Sequence, residues 1–370
     1  MTARTGDISP VLTIRSVRTT PILVPMKYAL GTSVARVTEA PLLLIDLETE
    51  EGITGRTYLF CYRPAGARAV ASLVEDAASL IKGEQLRPAD IAAKLARSFT
   101  LIGVTGTVRM ALSGFDTAMW DAVAVAAGLP LASVLGHTPR PIRAYNSCGL
   151  GLMAPSALAD EAARLIEGGF KAVKLRLGYP ALAEDLAALN AVRERIGTGI
   201  EVMVDYNQML TLEEALRRAH ALTAEGVTWL EEPIRHDDLE GNARIAAAST
   251  IPLQLGENFN GVDAMAAALR ARACQYVMPD LARIGGVTGW MQAASLAAAQ
   301  GVPMSSHLFP EVSAHLLAAT PTGDWLEYVD WADAFVQEPL KIVDGMAIVP
   351  ARPGSGLEWD RRAVERFRMT

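Results

Sequence analysis

The sequence predicts an α/β chain: a modified TIM-type (β/α)7–8 barrel with an N-terminal α+β capping domain. Three observations predict it. Asp205, Glu231 and Glu257 stand 26 residues apart, twice over, each closing a short apolar run (VMVDYN, VTWLEEP, PLQLGEN). That step is about what one strand, one helix and two short loops consume. From Pro141 onward, strand-like runs alternate with Ala-rich helical patterns, whereas the first 140 residues place strands first and helices after, the rhythm of an α+β unit.

Taken in order, Ile14–Val24, Pro41–Glu48 and Ile53–Tyr58 read as strands. The polar, Gly-containing stretch Lys27–Glu39 reads as a mobile loop between the first two. Helical periodicity follows at Ala67–Ile81, Pro88–Phe99 and Thr107–Ala127, the last with an apolar face through Met110, Leu112, Phe115 and Met119. In the second part, strand-like runs begin near Arg143, Ala172, Glu201, Thr228, Pro252, Gln275, Val302 and Trp325. Between most of them lie helical patterns such as Pro155–Glu167, Leu182–Ile196, Leu212–Glu225, Asp263–Ala271 and Gly289–Gln300. Seven or eight such units suit a closed barrel. An open doubly wound sheet is the alternative, disfavoured because no Gly-rich strand-to-helix fingerprint opens the alternation. The expected division is residues 1–140 as cap, 141–340 as barrel, and 341–370 as a segment folding back on the cap.

Composition narrows the function. The 370 residues are half hydrophobic and one-fifth charged, with a net charge of −7, which is globular and lacks the basic footprint of nucleic-acid binding. Cys61, Cys148 and Cys274 show no CxxC spacing and fit a reducing cytoplasm better than a disulfide framework. MTARTGDISPVL has no long apolar core, which argues against a secretory signal, and no run of about 18 apolar residues suggests a membrane span. GxSxG, HExxH and Cys/His clusters are absent, which disfavours an α/β-hydrolase and a zinc enzyme. IGGVTG, near Gly285, is too short for a nucleotide fingerprint and reads as a packing turn.

A barrel carries its chemistry at the C-terminal ends of its strands, and that rule selects residues. Asp205, Glu231 and Glu257 are hard anionic oxygen donors that would suit Mg²⁺, although any one of them alone reads better as a solvated loop residue. Glu231 and Glu232 are adjacent, so only one points inward, and the sequence leaves open which. Lys174 and Arg176, two apart in AVKLRLG, share a strand face, as do Asp205 and Asn207. The alternatives are solvent-facing basic residues and a strand-end turn. Asp280 and His307 end neighbouring strands, where a carboxylate could orient an imidazole base; a satisfied buried histidine is the competing reading. Glu327 in WLEYVD ends the last strand, with a rim salt bridge as its bland reading.

Together AVKLRLGYPAL, MVDYNQ, GVTWLEEP, GEN, IGGVTGW, PMSSHLF, SAHLLAATPT and YLFCYRP resemble the mandelate racemase branch of the enolase superfamily over almost the whole chain. The resemblance implies that Asp205, Glu231 and Glu257 bind Mg²⁺ with Asn207 in support. It implies that Lys174, Ser147 and a protonated Glu327 contact a substrate carboxylate, and that His307, paired with Asp280, removes the α-proton. Removing a proton beside a carboxylate creates a dianionic enediolate, which only fixed positive charge and strong donors make accessible. The resemblance also implies a homo-oligomer acting on a small-molecule carboxylate.

The chain departs from the racemase at Arg176, where that enzyme has a second lysine base, and at Cys148, where it has a histidine. An arginine guanidinium stays charged in proteins, so two-base racemisation is disfavoured. Leu30, Thr32, Val34, Val37, Phe60, Tyr62, Leu101, Leu308 and Val329 match a largely apolar racemase pocket, with domain-interface packing as the alternative. The leading expectation is a racemase-like isomerase acting on an apolar 2-hydroxycarboxylate. The alternatives are an acid-sugar or other 2-hydroxy acid dehydratase using His307 as base and acid, and a non-catalytic metal-binding oligomer.

Overall fold

The computed structural model describes residues 11–32 and 36–369. The N-terminal segment read above for a leader, up to residue 10, lies outside them, as does Val34. The chain opens with three antiparallel strands, β1 (Ile14–Gly31), β2 (Arg36–Thr49) and β3 (Thr54–Phe60), in the order β1-β2-β3. Three helices follow: α1 (Pro64–Ile81), α2 (Pro88–Ser98) and α3 (Gly106–Ala126). Prolines open α1 and α2 at the first helical position, where the missing N–H costs nothing. α3 is buried around most of its circumference rather than along the single apolar face the sequence suggested, and it packs against β3 and α1.

A short helix, α4 (Leu131–Val134), leads into the barrel. Strand and helix then alternate: β4 (Ile142–Asn146), α5 (Pro155–Ile166), β5 (Ala172–Arg176), α6 (Leu182–Ile196), β6 (Glu201–Asp205), α7 (Leu212–Leu222), β7 (Leu230–Glu231), α8 (Leu239–Ala248), β8 (Leu253–Leu255), α9 (Val262–Arg270) and β9 (Tyr276–Val277). After α10 (Leu281–Ile284) and α11 (Gly286–Gln300), an extended stretch at Met304 bridges in parallel to Val277 and to Gly323. Then come α12 (Pro310–Ala318) and β10 (Leu326–Tyr328), which pairs in parallel with β4 through Leu326 and Ala144. That pairing closes the ring and excludes the open sheet. The sequence pattern did not single out α8, a helix that Asp238 caps by accepting from the Gly241 N–H at 2.8 Å.

Strand parity organises the barrel interior. Tyr145, Ala172, Met203, Trp229 and Trp325 form one buried layer, with the Tyr145 and Trp229 rings edge-on at 5.3 Å. Successive side chains alternate faces, so two residues further along each strand stand Ser147, Lys174, Asp205, Glu231 and Glu327. The aromatic plug thus forms the floor on which the polar residues sit, and parity settles that Glu231, not Glu232, faces inward.

Two expectations are corrected. The stretch Lys27–Glu39 is not a free loop over its described part, because Leu30 pairs with Val37 and Gly31 with Arg36 as the ends of a long hairpin. The hairpin is seated on the barrel where the Leu152 N–H donates to the Gly31 carbonyl at 3.1 Å. A Cβ on Gly151 would fall 2.3 Å from that carbonyl oxygen, so the seat requires glycine. The tail also differs: β11 (Ile342–Val343) and β12 (Met346–Ala347) form a hairpin that pairs antiparallel with barrel strand β4. Only beyond it does the chain reach the cap, where Trp359 Nε1 donates to Asp46 at 2.9 Å and α13 (Arg361–Phe367) packs on β1.

The hairpin seat yields a stability prediction. Gly151→Ala forces a methyl against backbone and is expected to cost about 1–3 kcal/mol, read as a lower urea midpoint at unchanged slope. An unshifted midpoint would show that the two segments do not approach so closely.

Candidate active site

The C-terminal ends of the barrel strands open into a cavity of about 310 Å³ beneath the cap. Its polar lining comprises Ser147, Lys174, Arg176, Asp205, Asn207, Glu257, His307 and Glu327. Glu231 lies just below, fully buried. Asp205, Glu231 and Glu257 each bring a carboxylate oxygen within 4.8 Å of the others.

Lys174 stands between acids, with its Nζ 2.6 Å from Glu231, 2.8 Å from Glu327 and 3.4 Å from Asp205. The other Glu231 oxygen accepts from Trp229 Nε1 at 3.0 Å. Burial, together with the charges of Asp205, Glu327 and Glu257, pushes Glu231 up to about 8 against the pull of Lys174. One ammonium is therefore too little positive charge for this group of acids. Three hard oxygen donors in an anionic, water-poor floor form a set that fits a divalent cation such as Mg²⁺.

Glu327 behaves differently. Burial opposes its ionisation, but Lys174, His307 and hydrogen bonds hold it down at about 2. Ser147 Oγ donates to it at 2.7 Å and the Leu308 N–H at 2.8 Å. Lys174 Nζ, Ser147 Oγ and the Leu308 N–H all approach its oxygens, so Glu327 accepts from three donors.

Asp280 uses both oxygens. Oδ1 caps α10, accepting from the Ala282 and Arg283 N–H groups at 2.7 and 3.1 Å. Oδ2 takes His307 Nδ1 at 2.7 Å. With Nδ1 directed at Asp280, Nε2 is the nitrogen that faces the cavity, 3.3 Å from Glu257. Burial alone would lower His307, but Glu257, Glu327 and Asp280 raise it to about 9. The two residues after it, Leu308 and Phe309, have φ of 54° and 49°, an unfavourable region for bulky side chains. The Leu308 N–H bond to Glu327 and the Ser313 hydroxyl donating to the Leu308 carbonyl at 2.9 Å hold that strained turn.

Arg176 is tethered to backbone. Its Nη1 donates to the Gly149 carbonyl at 2.7 Å and the Ser147 carbonyl at 3.2 Å, and its Nη2 to Ser147 Oγ at 3.2 Å. It braces the loop that carries Ser147 and meets the cap hairpin. Asn207 donates twice to Asp205, from N at 2.8 Å and from Nδ2 at 3.0 Å, in a left-handed turn with φ 45°, a conformation asparagine tolerates.

Leu30, Thr32, Val37, Phe60, Tyr62, Leu308 and Val329 line the cavity as expected from the sequence. Leu101 does not: it is fully exposed on the loop between α2 and α3, away from the cavity of its own chain. Trp331, not singled out in the sequence, completes the wall, its ring 4.5 Å from Phe60; its only signal was the i, i+2 spacing from Val329. Arg283 and Asn258 also escaped notice, since Arg283 and Glu232, which orient the Asn258 amide, are distant from it in sequence. Asn258 Nδ2 donates to both Glu232 oxygens, at 2.9 and 3.0 Å, and to Glu257 at 3.2 Å.

Known proteins match this architecture. An enolase C-terminal domain-like family model covers residues 157–363, and a mandelate racemase/muconate lactonizing enzyme N-terminal domain model covers residues 12–136. The chain belongs to the mandelate racemase/muconate lactonizing enzyme family of the enolase superfamily. L-talarate/galactarate dehydratase of Salmonella typhimurium is 31% identical over 90% of this chain and 84% of its own. A magnesium-bound enolase from the alphaproteobacterium BAL199 superposes with a TM-score of 0.95 at 42% identity, covering 97% of this chain and all of the other. A Bradyrhizobium enolase complexed with magnesium and mandelic acid gives 0.93 at 38%, covering 98% and 100%. The chain is thus an enzyme of the mandelate racemase/muconate lactonizing enzyme family.

The brace at Arg176 is testable by itself. Arg176→Met leaves two buried carbonyls and the Ser147 hydroxyl without their donor, and is expected to cost about 2–4 kcal/mol, read as a lower Tm. An unchanged Tm would mean that the loop does not depend on the guanidinium.

Proposed function

We propose that this chain is a divalent-metal-dependent lyase that dehydrates a small 2,3-dihydroxycarboxylate using His307 as its single base. The observation that carries this reading is the asymmetry of the cavity. One side holds an imidazole whose Nδ1 is held by Asp280 and whose Nε2 faces Glu257; the other holds Arg176, a guanidinium tied to backbone carbonyls.

Asp205, Glu231 and Glu257 would hold Mg²⁺, which when bound supplies positive charge where the substrate carboxylate gathers electrons. Lys174 adds a fixed ammonium beside that carboxylate, and Ser147 a hydroxyl. His307 Nε2 removes the α-proton. The electron pair forms a carbon–carbon double bond as the β-hydroxyl leaves, and His307 returns its proton to that hydroxyl, releasing water. The enol product then tautomerises to a 2-keto acid. Base and acid are one group, so no second base is needed. The dehydratase name of the Salmonella relative supports this reading over the racemase-like isomerase expected from the sequence.

A second reading, racemase-like proton exchange on an aryl or alkyl 2-hydroxy acid, is favoured by the wall of Leu30, Val37, Phe60, Leu308, Val329 and Trp331. Burying unpaired hydroxyls against such a wall is costly. The mandelic acid held by the Bradyrhizobium neighbour points the same way.

One experiment separates the two. The chain is incubated with Mg²⁺ in D₂O against a panel of acid sugars and against each enantiomer of an aryl 2-hydroxy acid. The lyase reading expects a 2-keto acid from a panel member, with no inversion of either enantiomer. Inversion of both would overturn single-base chemistry. Arg176→Lys, where folded, is expected to gain exchange on the opposite face. Glu231→Gln is expected to lose stoichiometric Mg²⁺ binding by calorimetry; retained binding would remove Glu231 from the metal site.

A further inference from the structure

Arg283 belongs to neither the wall nor the floor of the cavity, yet it touches the supports of both. Its backbone N–H helps satisfy Asp280, and its carbonyl accepts from the Gly261 N–H at 2.9 Å. Its guanidinium lies 5.1 Å from the centre of the Tyr62 ring, one of the two aromatics that the cap contributes to the cavity wall. Its Nη1 donates to Asn258 Oδ1.

That last bond fixes which way the Asn258 amide points. A cation on the oxygen side leaves the NH₂ side facing Glu232 and Glu257, and there Nδ2 makes its three contacts. A reversed amide would set its oxygen against two carboxylates. The result is an unbroken physical path: Tyr62 of the cap, Arg283, Asn258, Glu257. Glu257 is also the acid that faces His307 Nε2 at 3.3 Å.

We infer that Arg283 is a positioning residue that orients Asn258, and through it Glu257, so that the seating of the cap on the barrel sets divalent-cation affinity. The inference rests on the reading of Asp205, Glu231 and Glu257 as the metal site. Groups that orient a metal ligand typically matter about 10–100-fold in metal affinity. Lysine could keep the charge but not the planar fork that both stacks on Tyr62 and reaches Asn258.

The test is calorimetric Mg²⁺ titration of the full-length chain and its variants, with Tm recorded for each. Arg283→Met is expected to weaken Mg²⁺ binding about tenfold, and Arg283→Lys to recover part of that loss. Asn258→Ala should weaken it similarly, and the double variant should be no worse than either single one, because both act through one path. Tyr62→Leu, which spares the barrel, should weaken it roughly two- to fivefold by removing the cation–π contact. Wild-type affinity in Arg283→Met or in Tyr62→Leu at native Tm would overturn the inference, as would additive losses in the double variant. Absence of Mg²⁺ binding by the wild-type chain would overturn the metal reading itself, a result distinct from failure of the Arg283 path alone.

Discussion

Lys174 is one ammonium set among Glu231, Glu327 and Asp205 in a floor closed to water. Buried charge is tolerated only when paired and hydrogen-bonded, and this cluster is more acid than base. The surroundings are built to manage it. Trp229 donates to the Glu231 oxygen that Lys174 does not take, and Ser147 and the Leu308 N–H satisfy Glu327. Asp205, Glu231 and Glu257 bring carboxylate oxygens within 4.8 Å of one another, a set that could hold a cation. The aromatic layer beneath, two residues back along each strand, keeps water from entering from below.

Around this cluster the two sides of the cavity are built for different tasks. On one side, a single carboxylate links secondary structure to chemistry: Asp280 caps α10 with one oxygen and orients His307 with the other. On the other, Arg176 spends its donors on the Ser147–Gly149 backbone. Replacing a lysine by an arginine exchanges a group that can lose a proton for one that braces a loop. The same loop seats the cap hairpin through Gly31 and Gly151, so Arg176 helps to hold the cavity wall in place.

The cap is a working part of the cavity, since its strands deliver Leu30, Val37 and Phe60, and the turn after β3 delivers Tyr62, above a floor that belongs entirely to the barrel. Its attachment relies on polar bonds made across long sequence separations, such as Tyr58 to Glu311 at 2.7 Å and the Thr288 N–H to Asp116 at 2.9 Å. Such bonds fix orientation because a buried donor or acceptor left unpaired is costly.

The sequence alone was sufficient for what repeats or alternates. The 26-residue step of three acids exposed the β/α repeat and the convergence of those acids, and the i, i+2 spacing put Lys174 with Arg176 and Asp205 with Asn207 on common faces, because side-chain direction in a strand is a local property. What only the tertiary structure decided are relations between segments with no shared period: Glu231 over Glu232, the three donors around Glu327, the paired hairpin across Lys27–Glu39, the exposed Leu101, and the Asn258–Arg283–Tyr62 path. Each depends on which distant backbone or charge arrives next to a residue, and chain closure brings those partners together without leaving a local pattern in the sequence.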